Sequence, residues 1–114
     1  LLKVVIHIDE FDKWQMVINN IKNFIADVGD NGGKIAVVVN GAAVNISLSK
    51  TDKGILTEME KLTKKHIQWY FCKNALVGNG IDFKSLPEYI IVVPAGITKL
   101  IELQNKEGFA YIKP

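Results

Sequence analysis

The chain carries a single cysteine, Cys72, where the apolar and aromatic run Ile67-Gln-Trp-Tyr-Phe-Cys72 gives way to the polar, glycine-punctuated Lys73-Asn-Ala-Leu-Val-Gly-Asn-Gly80. A strand that ends there and turns into a helix start sets the thiol beside free backbone N–H groups, which favour thiolate over thiol. Lys73 adds positive charge next to it. The chemistry open to such a group is that of an activated nucleophilic thiol, which needs an accessible thiolate. A free cysteine also serves as a small, buried, inert apolar side chain, and both roles fit the position.

Three other segments bring functional groups to similar strand ends. His7 is placed to accept a proton near a thiolate, since imidazole titrates close to neutrality, although hydrogen-bonded packing is the commoner use of such a histidine. Asn40 and Asn74 offer amide hydrogen bonds to a bound group, yet both stand beside turns that favour asparagine on conformational grounds. Gly41 follows Asn40, and Gly96 opens a helical pattern. A glycine at a helix opening either lets an anion approach the N-terminal amides or serves a tight strand-to-helix turn. His66 lies at the end of a helical pattern, where the helix dipole favours a cation, and it is assigned no catalytic role. Gly78-Asn-Gly80 is not a phosphate loop, because it lacks the Lys-Ser/Thr ending. Nothing has the cysteine and histidine spacing of a zinc site, and no constellation supports a Cys-His hydrolase.

The elements that position these groups follow from periodicity. Lys3-Val-Val-Ile-His-Ile8 is a β-branched strand followed by the helix-start signals Asp9, Glu10 and Asp12. From Trp14, apolar Val17, Ile18, Ile21, Phe24, Ile25 and Val28 recur three and four apart, which predicts an amphipathic helix closed by Gly29. Lys34-Ile-Ala-Val-Val-Val-Asn40 reads as a strand buried on both faces of a parallel sheet. Ala42 to Leu48 is a candidate short helix, and Ser49 to Gly54 an exposed loop. A second amphipathic helix is expected over 55–66, a third strand over 67–72, a loop through 82–87 and a fourth strand over 89–94. A last helix opens at Ala95-Gly96 and runs through Ile97, Leu100, Ile101 and Gln104, and Phe109 to Ile112 is a short fifth strand. Strands alternating with helices give a three-layer α/β/α sandwich on a five-stranded, mainly parallel sheet. His7, Asn40 with Gly41, Cys72 with Lys73 and Asn74, and Gly96 converge at its carboxyl edge, where α/β sheets bind ligands. Trp14, Trp69, Tyr70 and Tyr111 read as core or interface packing.

Composition bounds the rest. One domain over 1–114 suits 114 residues with 48% hydrophobic and 23% charged side chains. The net charge is +2 and all 14 basic residues are lysine, a balance that argues against nucleic acid because the arginine used for bidentate base contacts is absent. No apolar run reaches the length of about 20 residues needed to span a bilayer. Leu1-Leu-Lys-Val-Val-Ile-His7 reads as a first strand rather than a signal peptide. A lone cysteine fits a reducing cytoplasm.

Four separated motifs then resemble one family. Val5-Ile-His-Ile-Asp9 with Trp14, Val38-Val-Asn-Gly-Ala-Ala-Val44, Phe71-Cys-Lys-Asn-Ala-Leu76 with Gly80-Ile81, and Val92-Val-Pro-Ala-Gly-Ile97 with Leu100, Gln104, Gly108 and Ala110-Tyr-Ile112 resemble small DsrE/DsrF-like proteins of the sulfur-relay superfamily. The resemblance implies a DsrEFH-like fold and a homo-oligomer, trimer or hexamer. It also implies that Cys72 matches the cysteine that carries a persulfide in sulfur-transferring members, exchanging sulfur with donor and acceptor proteins and needing no metal or organic cofactor. The alternative is a non-catalytic oligomeric module that binds a small ligand or partner protein at the strand ends, with Cys72 as packing.

Overall fold

The apolar runs all pair in parallel. In the computed structural model, which describes residues 1–49 and 51–114, they form β1 (Leu2–Ile8), β2 (Gly33–Val39), β3 (Gln68–Cys72), β4 (Ile90–Val93) and β5 (Ala110–Ile112). Between them run α1 (Trp14–Val28), α2 (Lys53–Thr63), α3 (Lys73–Gly78) and α4 (Gly96–Glu107), with 3-10 segments at Phe11–Lys13, Gly41–Leu48 and Phe83–Ser85. The sheet order is β4-β3-β2-β1-β5.

That order decides where the helices go. Each step from β1 to β4 moves one place in the same direction, and right-handed crossovers therefore put α1, α2 and α3 on one face. The connection from β4 returns to the far edge beside β1, so the same handedness throws α4 onto the opposite face. The buried side chains follow this division. Ile6, Ile8, Val37, Val39, Trp69 and Phe71 pack with Val17, Ile18 and Ile21 of α1 and Met59 and Leu62 of α2. On the other face Val5, Ala36, Val38 and Tyr70 meet Leu100, Leu103 and Phe109. The result is the expected three-layer sandwich with unequal outer layers. A single helix cannot cover its face, and Ile91 of β4 with Ile97 and Ile101 of α4 stays exposed.

Several boundaries differ from expectation for local reasons. The second helix starts at Lys53 and stops at Thr63, because the chain leaves it through a turn in which His66 adopts φ 68°, a left-handed conformation that ends a helix. The segment 41–48 is 3-10 rather than α-helical, and Trp14 Nε1 donates to the Ala43 carbonyl at 2.9 Å, pinning this segment to α1. The third and fourth strands start one residue later than expected, and the fourth also ends one residue earlier, at Val93. Of the expected loop 49–54, Lys50 lies outside the described residues. Ser49 there donates to the Asp52 carboxylate at 2.6 Å and receives the Asp52 N–H at 3.1 Å, a turn that launches α2.

Candidate functional site

At the carboxyl edge of the sheet the chain leaves β3 and β4 in opposite directions, β3 into α3 on one face and β4 into α4 on the other. Such a divergence between neighbouring parallel strands opens a crevice, the place where open α/β sheets bind ligands. Cys72 and Val93 are paired in register at this point, and the next residues are Lys73, opening α3, and Pro94 to Gly96, opening α4.

Cys72 is the N-cap residue of α3, with extended backbone (φ −71°, ψ 118°), and 7% of it is exposed. Gly96 is buried against it. A methyl group placed on Gly96 would meet Cys72 Cβ and Val38 Cγ1 at 3.3 Å and Asn40 Cβ at 3.5 Å. The first turn of α4 thus presents bare backbone to the cysteine. Ala95, its N-cap residue, has no side-chain oxygen to occupy the free amides there.

Asn40 and Gly41 follow β2. Gly41 has φ 55°, and a Cβ there would stand 2.9 Å from the Asp9 carbonyl oxygen, so this glycine is required by the close approach of the loops after β1 and β2. Its carbonyl accepts from Asn79 Nδ2 at 3.4 Å, and Asn79 Oδ1 accepts from Asn45 at 3.0 Å, which ties the loop after β2 to the end of α3. His7 lies between two partners, with Nδ1 2.6 Å from Tyr111 Oη and Nε2 2.9 Å from Asn40 Oδ1. Both ring nitrogens are therefore engaged, and neither is left to accept a proton directly from a thiol.

Lys73 and Asn74 stand at the start of α3, both exposed. Lys73 Nζ sits 4.8 Å from the centroid of the Phe83 ring, and Asn74 is exposed on α3. The lysine is committed to an aromatic face as a cation–π contact. On the α4 face, Tyr70 lies two residues before Cys72, its hydroxyl donating to Gln68 Oε1 at 3.0 Å and its ring under Lys99 Nζ at 4.5 Å. Burial, with a smaller contribution from the Glu107 carboxylate, holds its phenol above the ordinary range of titration. Asp9 pairs with Lys113 at 3.2 Å.

The strand ends thus bring together Cys72, Asn40, Gly41, Gly96 and His7, while Lys73 is held on the Phe83 ring and Asn74 is exposed. Tyr111, which reads from sequence as packing, is instead a hydrogen-bond partner in this cluster. The signal that could find it is the alternation of β5, which is usable only once β5 is known to lie beside β1. A surface cleft of about 870 Å³ lies elsewhere, lined by Leu56, Thr63, Pro87 and Tyr89 among others. It contains none of the strand-end residues, and the backbone topology is the better guide to the chemistry. Among the described residues no group of acidic, histidine and cysteine side chains could hold a metal ion, and no helix is long and apolar enough to cross a membrane.

Comparison with known proteins gives a consistent assignment. The model of the DsrE/DsrF-like family matches residues 16–114. A protein of unknown function from Methanobacterium thermoautotrophicum is similar over 100% of both chains, with 30% identity and a TM-score of 0.84. The ychN protein from E. coli shares the fold over 100% of both chains at 17% identity and a TM-score of 0.73. A conserved protein of unknown function from Bacteroides thetaiotaomicron does so at 20% identity and a TM-score of 0.73, over 98% of this chain and 94% of its own. No curated protein matches the chain.

The contact at Gly96 yields a differential prediction. Gly96→Ala presses a methyl on Cys72 Cβ, which cannot move without shifting the end of β3, so it should lower stability by about 1 kcal/mol. Gly54→Ala, in the first turn of α2 with nothing within 4 Å of the added Cβ, should instead stabilise by about 0.5 kcal/mol. Urea midpoints of the two variants check this. Equal and positive shifts would show that the crevice wall is not tightly packed.

Proposed function

From the premise that the chain belongs to the DsrE/DsrF-like family, whose fold it has, we propose that it is a sulfur-relay protein that carries a persulfide on Cys72. The observation that carries this reading is the position of Cys72 at the divergence of β3 and β4, with the uncapped first turn of α4 packed against it through Gly96. Backbone N–H groups at helix openings favour an anionic sulfur over a neutral one.

The chemistry balances without a cofactor. The Cys72 thiolate attacks the outer sulfur of a donor persulfide, R–S–SH. The bond between the two donor sulfurs breaks, R–S⁻ leaves, and Cys72–S–SH forms with its proton retained on the terminal sulfur. An acceptor thiolate then attacks that terminal sulfur and releases Cys72 as thiolate. The chain has no second cysteine to resolve a disulfide within itself, which favours a carrier over a dithiol redox protein. Donor and acceptor are proposed to be thiol-bearing proteins, and the compartment a reducing cytoplasm.

We further propose that the protein is a homo-oligomer, a trimer or hexamer, associated through the α4 face. Ile97 and Ile101 stand one turn apart on α4 and remain 65% and 50% exposed, beside the exposed Ile91. Apolar side chains grouped in this way favour self-association. The low exposure of Cys72 favours one competing reading, a ligand-binding oligomer in which the thiol is packing.

Two measurements test these statements. Incubation of the folded protein with a small persulfide donor should add the mass of one sulfur to wild type, removable by a thiol, and should add nothing to Cys72→Ala. Equal labelling of both, or labelling of neither, would contradict the carrier role. Ile101→Lys should reduce the mass measured by light scattering to that of a smaller species, and an unchanged mass would exclude the α4 face as the interface.

A further inference from the structure

A row of polar side chains crosses four strands on the α4 face and ends at the cysteine. Tyr111 stands on β5, His7 on β1, Asn40 just after β2, and Cys72 at the end of β3, and these strands are neighbours in that order. Alternation puts all four on one face, because His7 follows Val5, Asn40 follows Val38 and Cys72 follows Tyr70 by two residues, while Tyr111 is paired with Val5. The first two steps are hydrogen bonds of 2.6 and 2.9 Å. The third is a register step: Val39 is paired with Phe71, so the next residue, Asn40, comes abreast of Cys72 on the adjacent strand.

The polarity of the row follows from its donors and acceptors. Asn40 Oδ1 can only accept, so His7 Nε2 carries the hydrogen and donates. In the neutral ring Nδ1 is then an acceptor and takes the Tyr111 hydroxyl hydrogen. The amide of Asn40 is thereby held with its oxygen toward β1 and its NH₂ on the opposite side of Cγ, away from His7. Among the described residues that NH₂ has no hydrogen-bond acceptor, the Cys72 sulfur included, and it reaches solvent. The cations and acids nearby are occupied elsewhere: Lys73 on the Phe83 ring, Lys99 on the Tyr70 ring, and Asp9 with Lys113.

We propose that Asn40 donates a hydrogen bond to the Cys72 sulfur in its thiolate and persulfide states, and that His7 and Tyr111 are positioning residues that hold the Asn40 amide in this orientation. The persulfide half rests on the sulfur-carrying reading above, whereas the thiolate half rests on the two hydrogen bonds and the register step that brings Asn40 abreast of Cys72. His7 in this arrangement is an orienting donor. The proton acceptor expected from its type and position would need a free ring nitrogen.

The test is a pH titration of the thiolate ultraviolet absorbance, taken as the difference from Cys72→Ala, with circular dichroism to establish folding and persulfide loading measured alongside. Asn40→Ala should move the thiolate profile to higher pH by about one unit, the worth of one hydrogen bond to a charged group. Tyr111→Phe, which deletes only the hydroxyl, should move it the same way by less. His7→Ala should resemble Asn40→Ala, and His7→Gln, whose amide N–H can replace Nε2–H, should restore most of that loss. A folded Asn40→Ala with an unmoved profile overturns the proposal. If that variant does not fold, an unmoved profile in Tyr111→Phe with no difference between His7→Ala and His7→Gln overturns it instead. Wild type that never loads persulfide while Asn40→Ala shifts the thiolate profile refutes the carrier reading and retains the row.

Discussion

The handedness of parallel crossovers is the constraint on which the rest of this structure depends. Three successive connections advance across the sheet and one returns, so the same right-handed rule sends three helices to one face and α4 to the other. That single reversal separates the loops after β3 and β4. It creates the crevice, sets Cys72 beside the opening of α4, and leaves little room for a side chain at Gly96, where an added Cβ would press on Cys72 and Val38. The position of Cys72 beside the opening of α4 is thus a consequence of strand order rather than of any local motif.

The same reversal leaves the two faces unequal. The face under α1, α2 and α3 is filled with aliphatic and aromatic side chains, with the Trp14 ring packed near those of Trp69 and Phe71. The α4 face has a smaller apolar cluster at its centre and keeps polar groups at its carboxyl edge. A chain of hydrogen bonds from Tyr111 through His7 to Asn40 can persist there because both His7 ring nitrogens have partners and the outer end, Tyr111, reaches solvent. Buried polar groups without such partners would be costly.

Much of this architecture is legible in the amino-acid sequence, and the exceptions have physical causes. The α1 pattern from Trp14 to Val28 and the continuous apolar runs of β2 and β3 encode their elements locally, so the alternation of strands and helices follows from them. Stacking those units places His7, Asn40, Cys72 and Gly96 on one edge, and the structure brings them together there. The second helix ends earlier than its periodicity suggests because His66 adopts a left-handed backbone conformation, which the apolar spacing does not announce. Proximity in sequence pairs Lys73 with Cys72, but Phe83, ten residues further along, captures its ammonium, a contact no periodicity announces. Tyr111 has no local mark of a polar role, because its partner His7 lies 104 positions away in the chain and meets it only when β5 docks beside β1.

The central claim is that the folded chain presents Cys72 as a stabilised nucleophile at the strand ends, and its most direct test is the rate of modification by a small alkylating reagent near neutral pH, folded against unfolded. Burial of a thiol slows this reaction, and stabilisation of its thiolate in an accessible crevice speeds it. The account predicts that Cys72 in the folded protein reacts at least as fast as in the unfolded chain. Modification that appears only on unfolding would contradict it and make Cys72 a core residue of a binding module.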